Sequence, residues 1–252
     1  METIDQENPP KPCDYFDMIG GTSTGGLIAV MLGRLKMSIE DSINAYLSLS
    51  DRVFQKKRHR VTIKGNIQGR FDSEELARAV KEVVTAQTLN EDALLKDVSD
   101  NACKVFVCAT SKETSETVCL RSYRSPRGGS DLLNSVQIWE ACRATSVAST
   151  FFDPITVGRY NEEFVDGATG ANNPVWEVWD QAQLGDVFHI GATLVEIATE
   201  TEQTAEKFRR DKSQLDDRGQ YYRFNVDRGL EDIGLEELKK TKEIAAATRR
   251  YV

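Results

Sequence analysis

The sequence predicts one α/β domain. Short apolar segments of strand type alternate with segments whose apolar residues recur at helical spacing, and residues that favour helix starts stand at the boundaries. Neither a linker nor an internal repeat divides the 252 residues, and 40% hydrophobic with 29% charged residues is typical of a globular domain. Residues 1–12, with three prolines, are expected to be a disordered lead-in to a domain at residues 13–252.

The first third of the chain predicts a strand and three helices. Residues 15–19 are an apolar strand that ends at two glycines, and the apolar run 27–32 belongs to the helix after this turn. A second helix begins at Ser38, because Ser38 and Asp41 fit a capping box. Its apolar positions are Ile39, Ile43, Tyr46, Leu47 and Leu49. The third helix begins at Asp72 and has Leu76, Val80, Val83 and Val84 on one face.

The rest of the chain continues the alternation. Asn173 is the expected N-cap of a helix whose first residue is Pro174. The charged segment 199–220 is interpreted as a solvated helix or an excursion. We also predict core strands at 103–109, 118–120, 164–165 and 187–194, an edge strand at 221–226, and helices at 136–148 and from Gly234 onward.

Charge and hydropathy exclude several classes of function. The 32 basic and 40 acidic residues give a formal charge of -8, which argues against nucleic-acid binding by a general positive field. The apolar run 27–32 is far shorter than the roughly 18 to 20 residues that cross a bilayer. No signal-peptide pattern is present at the N-terminus, so the sequence predicts a cytoplasmic protein.

The five cysteines indicate neither a disulfide framework nor a metal site. Their number is odd, their surroundings are apolar, and no C-x-x-C pair occurs among them. We therefore expect reduced core thiols, without a metal or a cofactor, at Cys13, Cys103, Cys108, Cys119 and Cys142.

A G-x-S-x-G motif stands at the predicted junction between the first strand and the first helix. This context is typical of a nucleophile elbow, in which a serine hydroxyl sits on a sharp turn at a helix N-terminus. The alternative is a serine that only caps the helix. A phosphate-binding loop is excluded, because no lysine follows the last glycine. The motif consists of Gly21, Thr22, Ser23, Thr24 and Gly25, with Gly26 beside it.

Ser23 needs a base, and the two histidines of the chain are weak candidates. His59 lies in a basic run, where neighbouring positive charge works against its protonation. His189 lies in an apolar segment but fits the chain order Ser, Asp, His, and so remains a rival. Only 22 residues precede Ser23, too few for the strands that precede the elbow of an α/β-hydrolase.

Asp166 offers a direct alternative to a histidine. It stands directly after the short predicted strand at 164–165 and is followed by Gly167, which permits a close turn. A partly buried carboxylate within reach of the Ser23 hydroxyl could take its proton. The other interpretation of Asp-Gly is a hairpin turn.

Together these motifs resemble the patatin-like phospholipase family, and in particular its fungal type. The resemblance covers roughly residues 11–252 and rests on the elbow, on Asp166-Gly167-Ala168, and on the segments 13–17, 141–146 and 245–249. It implies a three-layer α/β fold whose central, mainly parallel sheet is flanked by helices. It also implies hydrolysis of fatty-acyl esters of glycerolipids or phospholipids, without a metal or cofactor, by a Ser23–Asp166 dyad. Gly167 and Ala168 would support this motif.

The sequence departs from the family pattern near its start. Family members carry a loop of the form Gly-Gly-Gly-x-Arg-Gly that supplies oxyanion donors, but the glycines before residue 30 are Gly20, Gly21, Gly25 and Gly26. The sequence therefore predicts an N-terminally truncated domain, in which the Thr24 backbone N–H is the remaining donor. The alternative function is a catalytically impaired module that binds lipid or a partner.

A basic segment stands out in this acidic chain. It contains no acidic residue, and either it is a solvated surface or it contacts anionic lipid headgroups, which would make the protein peripheral at membranes. Its basic residues are Arg52, Lys56, Lys57, Arg58, Arg60, Lys64 and Arg70.

Overall fold

The computed structural model describes most of the chain, namely residues 4–5, 7–55, 69–99, 101–126, 129–148, 151–184, 194–197, 202–224, 237 and 240–251. The helices are α1 (Pro12–Tyr15), α2 (Thr24–Ala29), α3 (Ile39–Gln55), α4 (Ser73–Ala86), α5 (Ser130–Ser135), α6 (Ile138–Ser146), α7 (Ala168–Ala171), α8 (Val175–Leu184), α9 (Glu202–Asp211), α10 (Ser213–Asp217) and α11 (Thr241–Tyr251). A π-helical turn, Val30–Arg34, follows α2. The strands are β1 (Met18–Thr22), β2 (Lys104–Ser111), β3 (Thr117–Arg121), β4 (Ile155–Val157), β5 (Glu162–Asp166), β6 (Leu194–Ile197) and β7 (Tyr221–Phe224).

Strand β2 is the centre of a five-stranded sheet. It pairs in parallel with β1 and antiparallel with β3 and β5, and β4 pairs antiparallel with β5. The predicted α/β class is confirmed. The described part of the sheet is mixed rather than mainly parallel, because short connections join β2 to β3 and β4 to β5 as hairpins, which impose antiparallel pairing.

Strands β1 and β5 lie along the same edge of β2. Residues 106–108 of β2 pair with β1 on one side and with β3 on the other, and residues 109–110 pair with β5 and with β3 in the same way. Strand β3 therefore occupies the opposite edge of β2. Thr22, the last residue of β1, pairs with Cys108, and Asp166, the last residue of β5, pairs with Ala109. Because β1 and β5 run in opposite directions, their carboxyl ends meet at adjacent positions on this edge.

Helices cover both faces of the sheet, as the side-chain alternation of β2 requires. Val105, Val107 and Ala109 belong to the main core, which α2, α3, α4 and α6 cover. Phe106 and Cys108 point to the other face, in a smaller cluster covered by α7 and α8. This three-layer arrangement agrees with the fold that the resemblance implied.

The helix starts follow the predicted capping residues. The Ser38 hydroxyl accepts a hydrogen bond from the Asp41 N–H at the start of α3. The Asp72 carboxylate caps α4, and the Asn173 side chain accepts from the Val175 N–H of α8. The predicted face of α4 is confirmed, since Leu76, Val80 and Val84 are buried and Val83 packs against the core.

Three sequence predictions need correction. Tyr15 belongs to α1 and not to the first strand, which begins at Met18. Ile39, Ile43 and Leu47 of α3 are exposed, because the face of this helix that lies against the core is the one with Ala45, Tyr46, Leu49 and Val53. Residues 136–137 precede α6, since the chain first forms the separate helix α5. Helices α5 and α7 and strand β4 were not predicted.

The last quarter of the described chain forms a second, two-stranded sheet in which β6 and β7 pair in parallel. Helices α9 and α10 occupy much of the charged segment, and Phe208 of α9 is fully buried against Trp176 and Tyr221. The predicted strand residues 187–193 and the predicted helix start at Gly234 lie outside the described residues. Among the described helices, none is both long and apolar enough to cross a bilayer.

Candidate active site

The elbow at Ser23 is a tight turn between β1 and α2. Ser23 has φ 54° and ψ -126°, a conformation that costs a non-glycine residue about 1–3 kcal/mol. A Cβ on Gly21 would lie 2.1 Å from the carbonyl oxygen of Gly25, so this approach of two backbones requires glycine. A Cβ on Gly26 would lie 2.7 Å from Thr145. The packing around the turn therefore maintains the strained serine.

Gly25 plays a different part from Gly21 and Gly26. A Cβ built on Gly25 would meet no described atom within 4 Å, so no close approach to another chain segment requires glycine here. Gly25 is exposed in the first turn of α2. Packing against the described residues gives no reason for glycine at this position.

The Ser23 hydroxyl does not cap α2. It donates a hydrogen bond of 2.9 Å to Oδ2 of Asp166 and makes no capping bond, so the interpretation of Ser23 as a simple N-cap was wrong. The first backbone N–H groups of α2, beginning with Thr24, have no acceptor within the helix. Together with the helix dipole they favour negative charge beside Ser23.

Asp166 is held in place by both its backbone and its side chain. Its N–H donates to the Val147 carbonyl, and its own carbonyl accepts from the Thr110 hydroxyl. Oδ1 accepts a 2.8 Å hydrogen bond from the Ala168 N–H, while Oδ2 faces Ser23. Helix α7 follows directly, so the alternative of a hairpin turn at Asp-Gly was wrong.

Burial sets the proton affinity of Asp166. The residue is 5% exposed, and desolvation raises the pKa of its carboxyl above the ordinary aspartate value. The hydrogen bonds from Ala168 and Ser23 stabilise the carboxylate and oppose this rise in pKa without cancelling it. A carboxylate with raised pKa is a better proton acceptor than an ordinary one.

Thr145 joins the elbow to the central strand. Its hydroxyl accepts a 2.8 Å hydrogen bond from the Ser23 N–H and donates a 2.6 Å hydrogen bond to the Cys108 carbonyl. Thr145 is fully buried near the end of α6. Thr145 lies in segment 141–146, but its role was not predictable from the sequence, because a contact between residues 122 positions apart leaves no local pattern.

Gly167 is required by close packing on the Asp166 side of the site. A Cβ at this position would lie 2.3 Å from the Cys108 carbonyl oxygen. Ala168 supplies the N–H that binds Asp166. Both residues therefore stand where the motif predicted support for the carboxylate.

A mostly apolar cavity opens beside Ser23, between α2, α3 and the end of α6. Its lining was not predictable from the sequence, because the residues come from elements far apart in the chain. They are Ser23, Thr24, Leu27, Tyr46, Leu49, Ser50, Val53, Phe54, Leu76, Ser146, Ala148, Phe151 and Phe152. Such a lining favours an apolar group over an ion beside Ser23.

Among the histidines, the basic residues and the cysteines that the sequence singled out, some lie within the described residues and others do not. The guanidinium of Arg52 is bound by Glu75 and Glu82, and therefore is not a free positive charge. His59, His189 and the basic residues Lys56, Lys57, Arg58, Arg60 and Lys64 lie outside the described residues. The cysteines that the structure describes are free thiols; Cys13 is half-buried and the other four are buried.

Comparison with known proteins identifies the family. A model of the patatin-like phospholipases matches residues 6–179, which is more than half of the chain. The chain therefore belongs to the patatin-like phospholipase family, as the resemblance indicated.

Three curated relatives show how similar in sequence this chain is to known proteins. Phospholipase A I of Arabidopsis thaliana is 28% identical over 228 residues, covering 68% of this chain and 17% of that protein. The cGAMP-activated phospholipase of Vibrio cholerae serotype O1 is 28% identical over 172 residues, covering 64% of this chain and 44% of that protein. Patatin-T5 of Solanum tuberosum is 26% identical over 182 residues, covering 67% and 42%. The chain thus spans less than half the length of each of these relatives.

Proposed function

We propose that the chain is a lipid acyl hydrolase that cleaves fatty-acyl esters of glycerolipids through a Ser23–Asp166 dyad. The 2.9 Å hydrogen bond from the Ser23 hydroxyl to Oδ2 of Asp166 is the observation that carries the proposal. Membership of the patatin-like phospholipase family supports the class of reaction, and the apolar cavity at Ser23 supports an acyl chain as the bound group.

In the first step, Ser23 Oγ attacks the ester carbonyl carbon while its proton passes to Oδ2 of Asp166. The carbonyl oxygen becomes an oxyanion beside the N-terminus of α2, where the Thr24 N–H is available. Collapse of this intermediate breaks the bond to the alcohol oxygen, which takes the proton from Asp166. The product is an acyl ester on Ser23 and a free lysolipid or glycerol alcohol.

In the second step, water replaces the alcohol. Asp166 accepts a proton from the water as its oxygen attacks the acyl carbon, and the bond to Ser23 Oγ then breaks. The proton returns to Ser23, the fatty acid leaves, and the dyad is restored. The raised pKa of Asp166 suits both directions of proton transfer.

The test is fatty-acid release from vesicles of mixed phospholipid and neutral lipid. Ser23→Ala and Asp166→Asn should each lower release at least about 1000-fold, as removal of a nucleophile or of its base does elsewhere. Ser48→Ala is the matched control, because Ser48 is exposed on α3 and should release fatty acid at the native rate.

Equal activity of the native chain and both site variants would contradict the proposal. If all of them fold and none releases fatty acid, the chain is instead a module that binds lipid or a partner. Our proposal also includes a cytoplasmic location and a peripheral contact with membranes through the basic segment.

A further inference from the structure

Two buried hydroxyl groups in the wall of the Ser23 cavity have no hydrogen-bond partner within the described chain. They belong to Ser50 of α3 and Ser146 of α6, which are 1% and 7% exposed. Both residues line the cavity that begins at Ser23. A buried hydroxyl without a partner is destabilising, so two of them in one cavity need a physical explanation.

Neighbouring buried hydroxyls show that the fold can satisfy such groups. Thr22 donates to the Ala171 carbonyl, and Thr145 donates to the Cys108 carbonyl. On α3 itself, Ser42 donates to the carbonyl four residues earlier, that of Ser38. The Ser50 hydroxyl makes no such bond, although it stands on the same helix. Within the described chain, this leaves the Ser50 hydroxyl available to a group that enters the cavity.

The two hydroxyls belong to different parts of the cavity wall. Ser146 follows Thr145, whose hydroxyl binds the Ser23 N–H, and Ser146 and Ser23 both line the cavity. Ser50 lies on the α3 wall, one helical turn from Tyr46 and from Phe54, which also line the cavity. An ester group can satisfy Ser146, but a plain hydrocarbon chain offers no acceptor or donor to Ser50.

We propose that the cavity selects acyl chains that carry an oxygen function, with the Ser50 hydroxyl hydrogen-bonded to that oxygen and Ser146 to the ester or carboxyl group. The inference deepens the proposed hydrolase function and rests on it for the reaction. It assigns the substrate class as esters of hydroxylated or similarly oxygenated fatty acids.

The test measures binding of free fatty acids to the native chain by calorimetry, below the concentration at which they form micelles. Stearic acid is compared with hydroxystearic acids that carry the hydroxyl at successive positions along the chain. We expect at least one isomer to bind about 3- to 10-fold more tightly than stearic acid, which is the effect of one hydrogen bond.

The variants decide whether Ser50 is responsible. Ser50→Ala should abolish the preference, while the exposed Ser48→Ala on the same helix should retain it. Ser50→Ala should also be at least as stable as the native chain, because it removes an unpaired buried hydroxyl. Equal affinity for all the acids, or a preference that survives in Ser50→Ala, would overturn the inference and leave water as the partner of Ser50.

Binding and turnover separate this inference from the hydrolase proposal. Free acids bind without hydrolysis, so the Ser50-dependent preference is measurable even if no ester is cleaved. Where esters are cleaved, the ratio of kcat/KM for hydroxystearoyl over stearoyl esters should fall in Ser50→Ala and should be retained in Ser48→Ala. An unchanged ratio would contradict the inference while leaving the dyad intact.

Discussion

The elbow at Ser23 and the turn at Asp166 face each other across one hydrogen bond, yet the fold holds them in different ways. Ser23 has a positive φ of 54° and is half-exposed, whereas Gly167, which follows Asp166, has an ordinary helical φ of -63°. Asp166 is almost fully buried, with hydrogen bonds to both of its carboxylate oxygens. The nucleophile is thus positioned through backbone strain and close packing, and the base is tuned through desolvation.

This difference predicts that changes on the two sides have different consequences. Around Ser23, a substitution that disturbs the close packing of the turn should damage both folding and activity. At Asp166, a neutral side chain of the same shape should damage activity but relieve an electrostatic cost.

The largest effect is expected at Gly21. Gly21→Ala places a methyl group 2.1 Å from the Gly25 carbonyl, and because the conflict is with backbone it should cost more than about 3 kcal/mol. The measurement is the free energy of unfolding in urea, together with activity. Gly25→Ala is the matched control, since no described atom lies within 4 Å of its methyl group.

Equal stability of these two alanine variants would contradict the view that packing holds the elbow in its strained conformation. A stable Gly25→Ala that nevertheless loses activity would have another meaning. It would show that the open space at Gly25 is needed by the substrate.

A smaller effect is expected at Thr145. Thr145→Val keeps the shape but leaves the Ser23 N–H and the Cys108 carbonyl without their partner, at about 1–3 kcal/mol for each group. We expect a lower free energy of unfolding and a kcat reduced about 10- to 100-fold with little change in KM. Thr145→Ser retains the hydroxyl and should recover most of both losses. A valine variant with native kcat would show that this bond does not position Ser23.

The smallest effect is expected in the stability of Asp166→Asn. Because the pKa of Asp166 is raised in the folded chain, its contribution to stability is full below the ordinary value of 3.8 and is lost as pH rises through the raised pKa. Asp166→Asn removes this loss. The variant should therefore be more stable than the native chain at neutral pH and show no such advantage near pH 3.8.

Thermal unfolding measured across pH tests this prediction, with the exposed Asp217→Asn as control. A variant that is less stable than the native chain at neutral pH would show that the hydrogen bonds to Asp166 outweigh its desolvation. The same raised pKa should place the acid limb of the native pH–rate profile above that of an ordinary aspartate.

Local patterns were sufficient for much of the fold and marked Ser23 and Asp166 as candidate site residues. The capping residues Ser38, Asp72 and Asn173 marked their helices because a cap is a contact within a few residues. The exposed face of Ile39 and Ile43 was not predictable, since apolar period shows which side of a helix could be buried and not whether a neighbour covers it.

The sequence by itself determined that this is an α/β domain with a G-x-S-x-G elbow and an Asp-Gly motif, because strand, turn and capping signals are local. Only the tertiary structure decided that Ser23 meets Asp166, that Thr145 binds the Ser23 N–H, and that two unpaired serines face the cavity. These contacts join residues more than 100 positions apart along one edge of β2, or unite α3 and α6 around one cavity. They depend on strand order and register, which no local pattern specifies.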